Sequence, residues 1–191
     1  MSQNDHSQAL AMIEAYRSAN RPRYWADRLP DDEGVCRSLA AAFDPIGIEA
    51  YNEGDMTTAW DAFMHLFMLR LKLVKANNES RHDIRDFASA EDLLGRTMLQ
   101  LGDLESAEQL LAEALSYRQG LYDDDRDDAH AAYLYGLALW HMSWVRKARG
   151  ETDLELALAI QARDHLVSVD ARWPGVSFIV DALADIAERL S

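Results

Sequence analysis

Three Gly-acid pairs, Gly54-Asp55, Gly102-Asp103 and Gly150-Glu151, stand 48 residues apart and constrain the fold of this chain more than any other feature. Each pair lies between two apolar runs compatible with helix. There a glycine can end one helix in a left-handed conformation and an acidic residue can begin the next. A single turn of this kind marks a helical hairpin, and equal spacing marks a repeat of hairpins. The rest of the composition agrees: 49% hydrophobic and 27% charged residues, with only 9 Gly and 4 Pro, suit helices joined by short turns. The expected fold class is all-α.

The middle unit has the clearest pattern. Leu94, Gly95, Met98, Gly102, Ala107, Leu111 and Ala114 alternate large and small residues at intervals that let two helices cross closely at Gly95 and Ala107. The first unit repeats it with Phe43, Ile46, Gly47, Gly54, Ala59, Phe63 and Leu66, pairing Gly47 with Ala59. The third carries Leu139, Met142, Ser143 and Gly150, then needs a two-residue insertion to place Ala157, and its last small position falls on Asp164. This pattern resembles the tetratricopeptide repeat, in its long, kinesin-light-chain-like variety, because each unit exceeds the usual 34 residues. Glu91 departs from the resemblance where the family has an aromatic residue.

The resemblance implies a right-handed superhelix of antiparallel hairpins, about seven or eight helices, over residues 36–191, preceded by an N-terminal helix and loop over residues 1–35. It further implies a concave groove lined by the first helix of each hairpin. The positions concerned are Ala41, Asp44, Ile48, Tyr51 and Asn52; Ser89, Asp92, Arg96, Leu99 and Gln100; and Leu137, Trp140, Trp144, Lys147 and Ala148. Trp140 and Trp144, four apart, share a helical face. They either open onto the groove or pack inside the array or against a second copy in a homodimer.

Hydrophobic periodicity places helices near 4–19, 33–53, 55–77, 82–101, 103–121, 127–149, 151–170 and 175–190. Pro45 removes one interior hydrogen bond, so a fresh helix could start at Asp44 as N-cap. Arg21 to Gly34 reads as a loop, and Asn77 to Ser80, Asp123 to Asp128 and Arg172 to Gly175 read as turns. Ser80 or Asp83 is placed to cap the helix that follows. The last helix sets Asp181, Asp185, Glu188 and Arg189 opposite Ile179, Leu183 and Ile186, as a water-facing cap on the core would.

A net charge of -14 repels phosphate backbones and anionic lipid, which argues against nucleic acid and membrane as partners and favours a basic one. The most apolar stretch, Ala59 to Val74, is interrupted by Asp61, His65, Arg70 and Lys72 and cannot span a bilayer cheaply. A single cysteine, Cys36, and an N-terminal stretch without a basic-then-apolar run point to the cytoplasm.

The acidic run Asp123 to Asp128 lacks the glycine and the closing glutamate of a calcium loop, so a solvated turn is expected there. His6, His65, His82, His130, His141 and His165 form no close ligand pair, and no nucleophile elbow, phosphate loop or dinucleotide fingerprint occurs. We therefore expect no metal, no cofactor and no catalysis. The expected function is that of an adaptor or chaperone-like scaffold binding a protein or peptide segment across Tyr51, Arg96, Trp140 and Trp144. The alternatives are an acidic immunity or antitoxin-type protein that neutralises a basic partner, and a ligand-sensing regulator with an enclosed polar pocket.

Overall fold

The computed structural model describes residues 3–19 and 29–190. Every regular element among them is helical: α1 (Gln3–Ala19), α2 (Glu33–Glu53), α3 (Met56–Ala76), α4 (Arg81–Leu101), α5 (Leu104–Asp124), α6 (Ala129–Ala148), α7 (Thr152–Arg172) and α8 (Ser177–Leu190). No helix is long and apolar enough to cross a membrane among these residues. The chain divides into two compact units, Met1–Leu101 and Gly102–Ser191. Of the loop expected from Arg21 to Gly34, residues 21–28 lie outside the described residues.

The glycines of the 48-residue spacing share one backbone state. Gly54, Gly102 and Gly150 have φ of 82°, 83° and 74°, the left-handed region that an L side chain adopts only at a cost. Around Gly54 and Gly150 the closing bonds are alike: Asp55 N donates to Ala50 O at 2.9 Å, and Glu151 N donates to Arg146 O at 2.9 Å. The acids then begin the following helix. Asp55 accepts from Thr58 N at 3.0 Å and Asp103 from Ser106 N at 3.1 Å. Glu151 makes no such cap and instead holds Arg146 at 2.9 Å.

A Cβ added at Gly150 would meet nothing within 4 Å, so the change to alanine is opposed by backbone conformation alone. Gly150→Ala is expected to destabilise by about 1–2 kcal/mol, read as a lower midpoint in thermal denaturation followed by circular dichroism. An unchanged midpoint would contradict the cap.

In the first unit α1 packs on α2, α2 on α3 and α3 on α4. Helices α2 and α3 pack together, and Leu39, Phe43, Ile46 and Ala50 of α2 and Phe63, Leu66, Leu69 and Leu73 of α3 are all buried. Gly47 is buried with them, and the Phe63 ring occupies the place of its side chain. A Cβ there would lie 2.6 Å from Phe63 Cδ1 and 2.9 Å from Cζ. Gly47 therefore admits the Phe63 ring, and Ala59, the small residue that the spacing paired with it, is fully buried on α3.

The helix break considered at Asp44 does not occur. Helix α2 continues through Pro45, which sits on an exposed turn where losing one N–H is tolerable.

Two buried polar groups tie this unit together. Asp83, 2% exposed, accepts both guanidinium nitrogens of Arg37, one at 2.9 Å, and this pairing holds its carboxyl down at about 2. Its amide donates to Ser80 Oγ at 3.2 Å, which makes Ser80 the cap and frees Asp83 to reach α2. His65, fully buried, stacks on Phe43 at 4.4 Å, and its Nδ1 donates to the Asp61 carbonyl. Burial depresses its pKa to about 4.

In the second unit α5 packs on α6, α6 on α7, and α8 on α7 with a lighter contact to α6. The expected small position Ala157 is exposed. The close approach of α6 and α7 uses Gly136 instead, whose absent Cβ would lie 2.6 Å from Leu166 Cδ2, beside the buried Ala159 and Ala162. The third hairpin thus contacts through different residues, which is why the extrapolated register needed an insertion.

Helix α5 also extends to Asp124, further than expected. The remaining acids close the turn: Asp128 caps α6 by accepting from His130 N at 2.9 Å and Ala131 N at 3.0 Å, and Asp127 pairs with Arg172.

Candidate protein-interaction site

In the first unit α2 and α4 stand on either side of α3 and leave two small clefts, each of about 180 Å³, on either side of Leu93. One is lined by Ile48, Tyr51, Asn52, Phe63, Leu93 and Arg96. The other is lined by Asp44, Leu66, Arg70, Asp86, Ser89, Ala90 and Leu93. The period of an α-helix explains the convergence. Asp44, Ile48 and Tyr51 recur at four and three residues along α2, and Ser89, Leu93 and Arg96 do the same along α4.

The first cleft is largely apolar with one cation. Ile48 is 42% exposed, an open aliphatic side chain beside the half-buried Tyr51. The guanidinium of Arg96 lies over the Tyr51 ring at 5.5 Å from its centre, and its Nε is 3.1 Å from Asp92 Oδ2. Asp92 was expected to face the groove; the structure buries it at 3% exposure, where it anchors Arg96 from behind. Leu99 is half-buried and Gln100 exposed, and neither lines these clefts.

The second cleft is acidic. Asp86 pairs with Arg70 at 2.5 Å. Asp44 is half-buried, and its carboxylate makes no hydrogen bond among the described residues. Burial raises its pKa, against the pull of Arg70 and with a smaller push from Asp86.

In the second unit the corresponding face is covered. Trp140 is 3% exposed, and its Nε1 donates to Asp185 of α8 at 2.9 Å. Arg189 of α8 lies over Trp140 at 5.2 Å and over Trp144 at 5.1 Å, and the two indoles meet edge to face at 5.9 Å. Leu139, Ala159, Ala162, Leu166 and Ile186 complete this core, with Trp144 packed at its margin. Of the two sequence readings of this pair, packing within the array is the one observed for Trp140. Leu137 is half-buried, and Lys147 is exposed and 3.7 Å from Glu155. Asp185 and Arg189 are exposed, as expected, while their inner atoms reach the tryptophans; Ile186, with Ala182, Leu183 and Leu190, packs α8 against that core.

Sequence reasoning missed Leu93, Arg70, Asp86 and Phe63. Leu93 was within reach, since it is four residues after Ser89 and three before Arg96. Arg70 and Asp86 come from a second helix and from the start of α4, and no spacing links them to the groove positions.

No protein-family model matches the chain, and no curated protein matches it. Among solved structures it is similar to a de novo designed helical repeat protein, DHR64, with a TM-score of 0.37 and 10% identity over 98% of this chain and 93% of that one. It is also similar to the DHF119 filament, with a TM-score of 0.33 and 13% identity over 98% of this chain and 90% of that one. Scores this low carry no assignment of family or function.

Proposed function

We propose that this chain is a non-catalytic scaffold that docks a segment of another protein in the paired clefts between α2 and α4. The supporting observation is the convergence of Asp44, Ile48, Tyr51, Asn52, Ser89 and Arg96, all first-helix positions of their hairpins, on two clefts of about 180 Å³. Pockets that enclose a drug-sized ligand are larger, about 300–1,000 Å³. Clefts of this size suit single side chains of a polypeptide, which favours segment docking over an enclosed metabolite site. An open aliphatic side chain beside an aromatic ring and a held guanidinium is a common make-up for such surfaces. The tetratricopeptide resemblance is consistent with this use of first-helix faces. In the second unit, α8 takes the place that a partner would need at Trp140.

The test is capture of partners from native lysate on the immobilised chain, compared with Tyr51→Ala and Arg96→Ala. Each variant is expected to reduce the specific catch at least tenfold while the Trp140→Phe control retains it. A catch unaffected by either cleft substitution would sink the docking reading.

A second reading, neutralisation of a basic partner across a broad acidic surface, draws on the net charge of -14. It requires retention that collapses between low and high salt and ignores Tyr51.

A further inference from the structure

The two clefts differ in charge, and that difference identifies the segment they would take. In the acidic cleft two carboxylates, Asp44 and Asp86, face one guanidinium, Arg70. Arg70 is committed to Asp86 at 2.5 Å, so the pair is close to neutral and Asp44 contributes the uncompensated charge. A half-buried carboxylate without a hydrogen-bond donor has lost part of its hydration and gained no hydrogen bond in return. A donor delivered from outside would restore that interaction, and a charged one most strongly. Ser89 Oγ lies on the same wall but donates to Arg85 O at 3.0 Å, so its proton is not directed at Asp44.

The neighbouring cleft, across Leu93, is walled by Ile48, Tyr51 and Phe63 and suits an apolar side chain. Its cation, Arg96, is held by Asp92, so the pair adds no net positive charge to repel a basic ligand. Along α2 the apolar cleft begins at Ile48, four residues beyond Asp44, and reaches Tyr51, seven beyond it, rises of roughly 6 Å and 10 Å. Residues two apart in an extended segment, or four or seven apart in a helical one, span distances in this range.

We propose, on the basis of the docking reading above, that the partner segment is basic. An arginine or lysine side chain enters the cleft at Asp44, and an apolar side chain two extended, or four or seven helical, residues away enters the cleft walled by Ile48 and Tyr51. The long-range field of the acidic chain draws such a segment in, and the pair of clefts fixes its register.

The experiment is selection of a phage-displayed random 12-residue peptide library on the full chain. The best peptide is then measured by fluorescence anisotropy against wild type, Asp44→Asn and Tyr51→Ala. Enriched peptides are expected to carry Arg or Lys two, four or seven positions from an apolar residue. Their affinity should fall about tenfold with Asp44→Asn, and about tenfold when the basic residue is replaced by citrulline or norleucine. The peptide-side replacement leaves the protein untouched, so it reads the contact even if the variant folds poorly. A lost response to citrulline or norleucine once Asp44 is Asn would place the cation at that carboxylate.

Peptides that depend on Tyr51 but show no basic preference, or bind Asp44→Asn equally, would overturn the basic-segment proposal and leave docking intact. Peptides indifferent to both Tyr51 and Asp44 would overturn both.

Discussion

Gly47→Val should lower the stability of the first unit by about 2–3 kcal/mol, visible as a melting midpoint reduced by roughly 10–20 °C. The reason is geometric. The added carbon would fall inside contact distance of three atoms of the Phe63 ring, and Phe63 is fully buried and rigid. A ring packed on all sides cannot swing away as a lysine or methionine tail would, so the strain spreads into α2 and α3. Gly47→Ala should cost less, because alanine regains about 1 kcal/mol of helix preference over glycine. A smaller, branched side chain on α3 supplies the control: Phe63→Leu opens the space and should absorb most of the Gly47→Val penalty. Additive losses in the double variant would show that the two positions do not meet.

Acid should unfold this unit in two stages. The imidazole of His65 is neutral when buried and titrates at about 4, below its ordinary 6.5. Between those values the unfolded chain takes up a proton that the folded chain refuses. Its contribution is therefore complete above pH 6.5 and disappears as pH falls toward 4, amounting at most to about 3 kcal/mol. Asp83 follows. Held at about 2 by Arg37, against an ordinary 3.8, its ion pair contributes fully above about pH 4 and is lost as pH falls through 2. Urea midpoints measured from pH 7 to pH 2.5 should fall in both ranges. His65→Leu should flatten the upper range and leave the lower one, and Arg37→Met should do the reverse. A midpoint independent of pH between 7 and 4 in the parent chain would refute the burial argument for His65.

Much of the backbone was legible because its signals are local. A left-handed glycine followed by an acid at a fixed interval needs no tertiary information, and Gly54, Gly102 and Gly150 were placed by that signal alone. Helix boundaries followed for the same reason and missed mainly where polar residues extend a helix, as α5 does through Asp123 and Asp124.

Contacts between helices were less accessible. The spacing paired Gly47 with Ala59 and did not point to the Phe63 ring that Gly47 admits. Ala157 was assigned to a contact that Gly136 and Leu166 make. Trp140 shows the limit most clearly: its spacing placed it on a first-helix face, but only the fold reveals that α8, through Ile186 and its apolar neighbours, covers that face. The cleft of the first unit could be read from α2 and α4 because one helical period lists its residues. Arg70, from α3, had no such signal.

The hold of Asp92 on Arg96 has a consequence for recognition that is entropic. A free arginine on a protein surface samples many rotamers, and fixing a side chain of that kind upon association costs about 0.5–1.5 kcal/mol. Here a buried carboxylate grips one side of the guanidinium and the Tyr51 ring supports its face. Much of that ordering is complete once the chain has folded, so a ligand meeting this wall encounters a cation already in position.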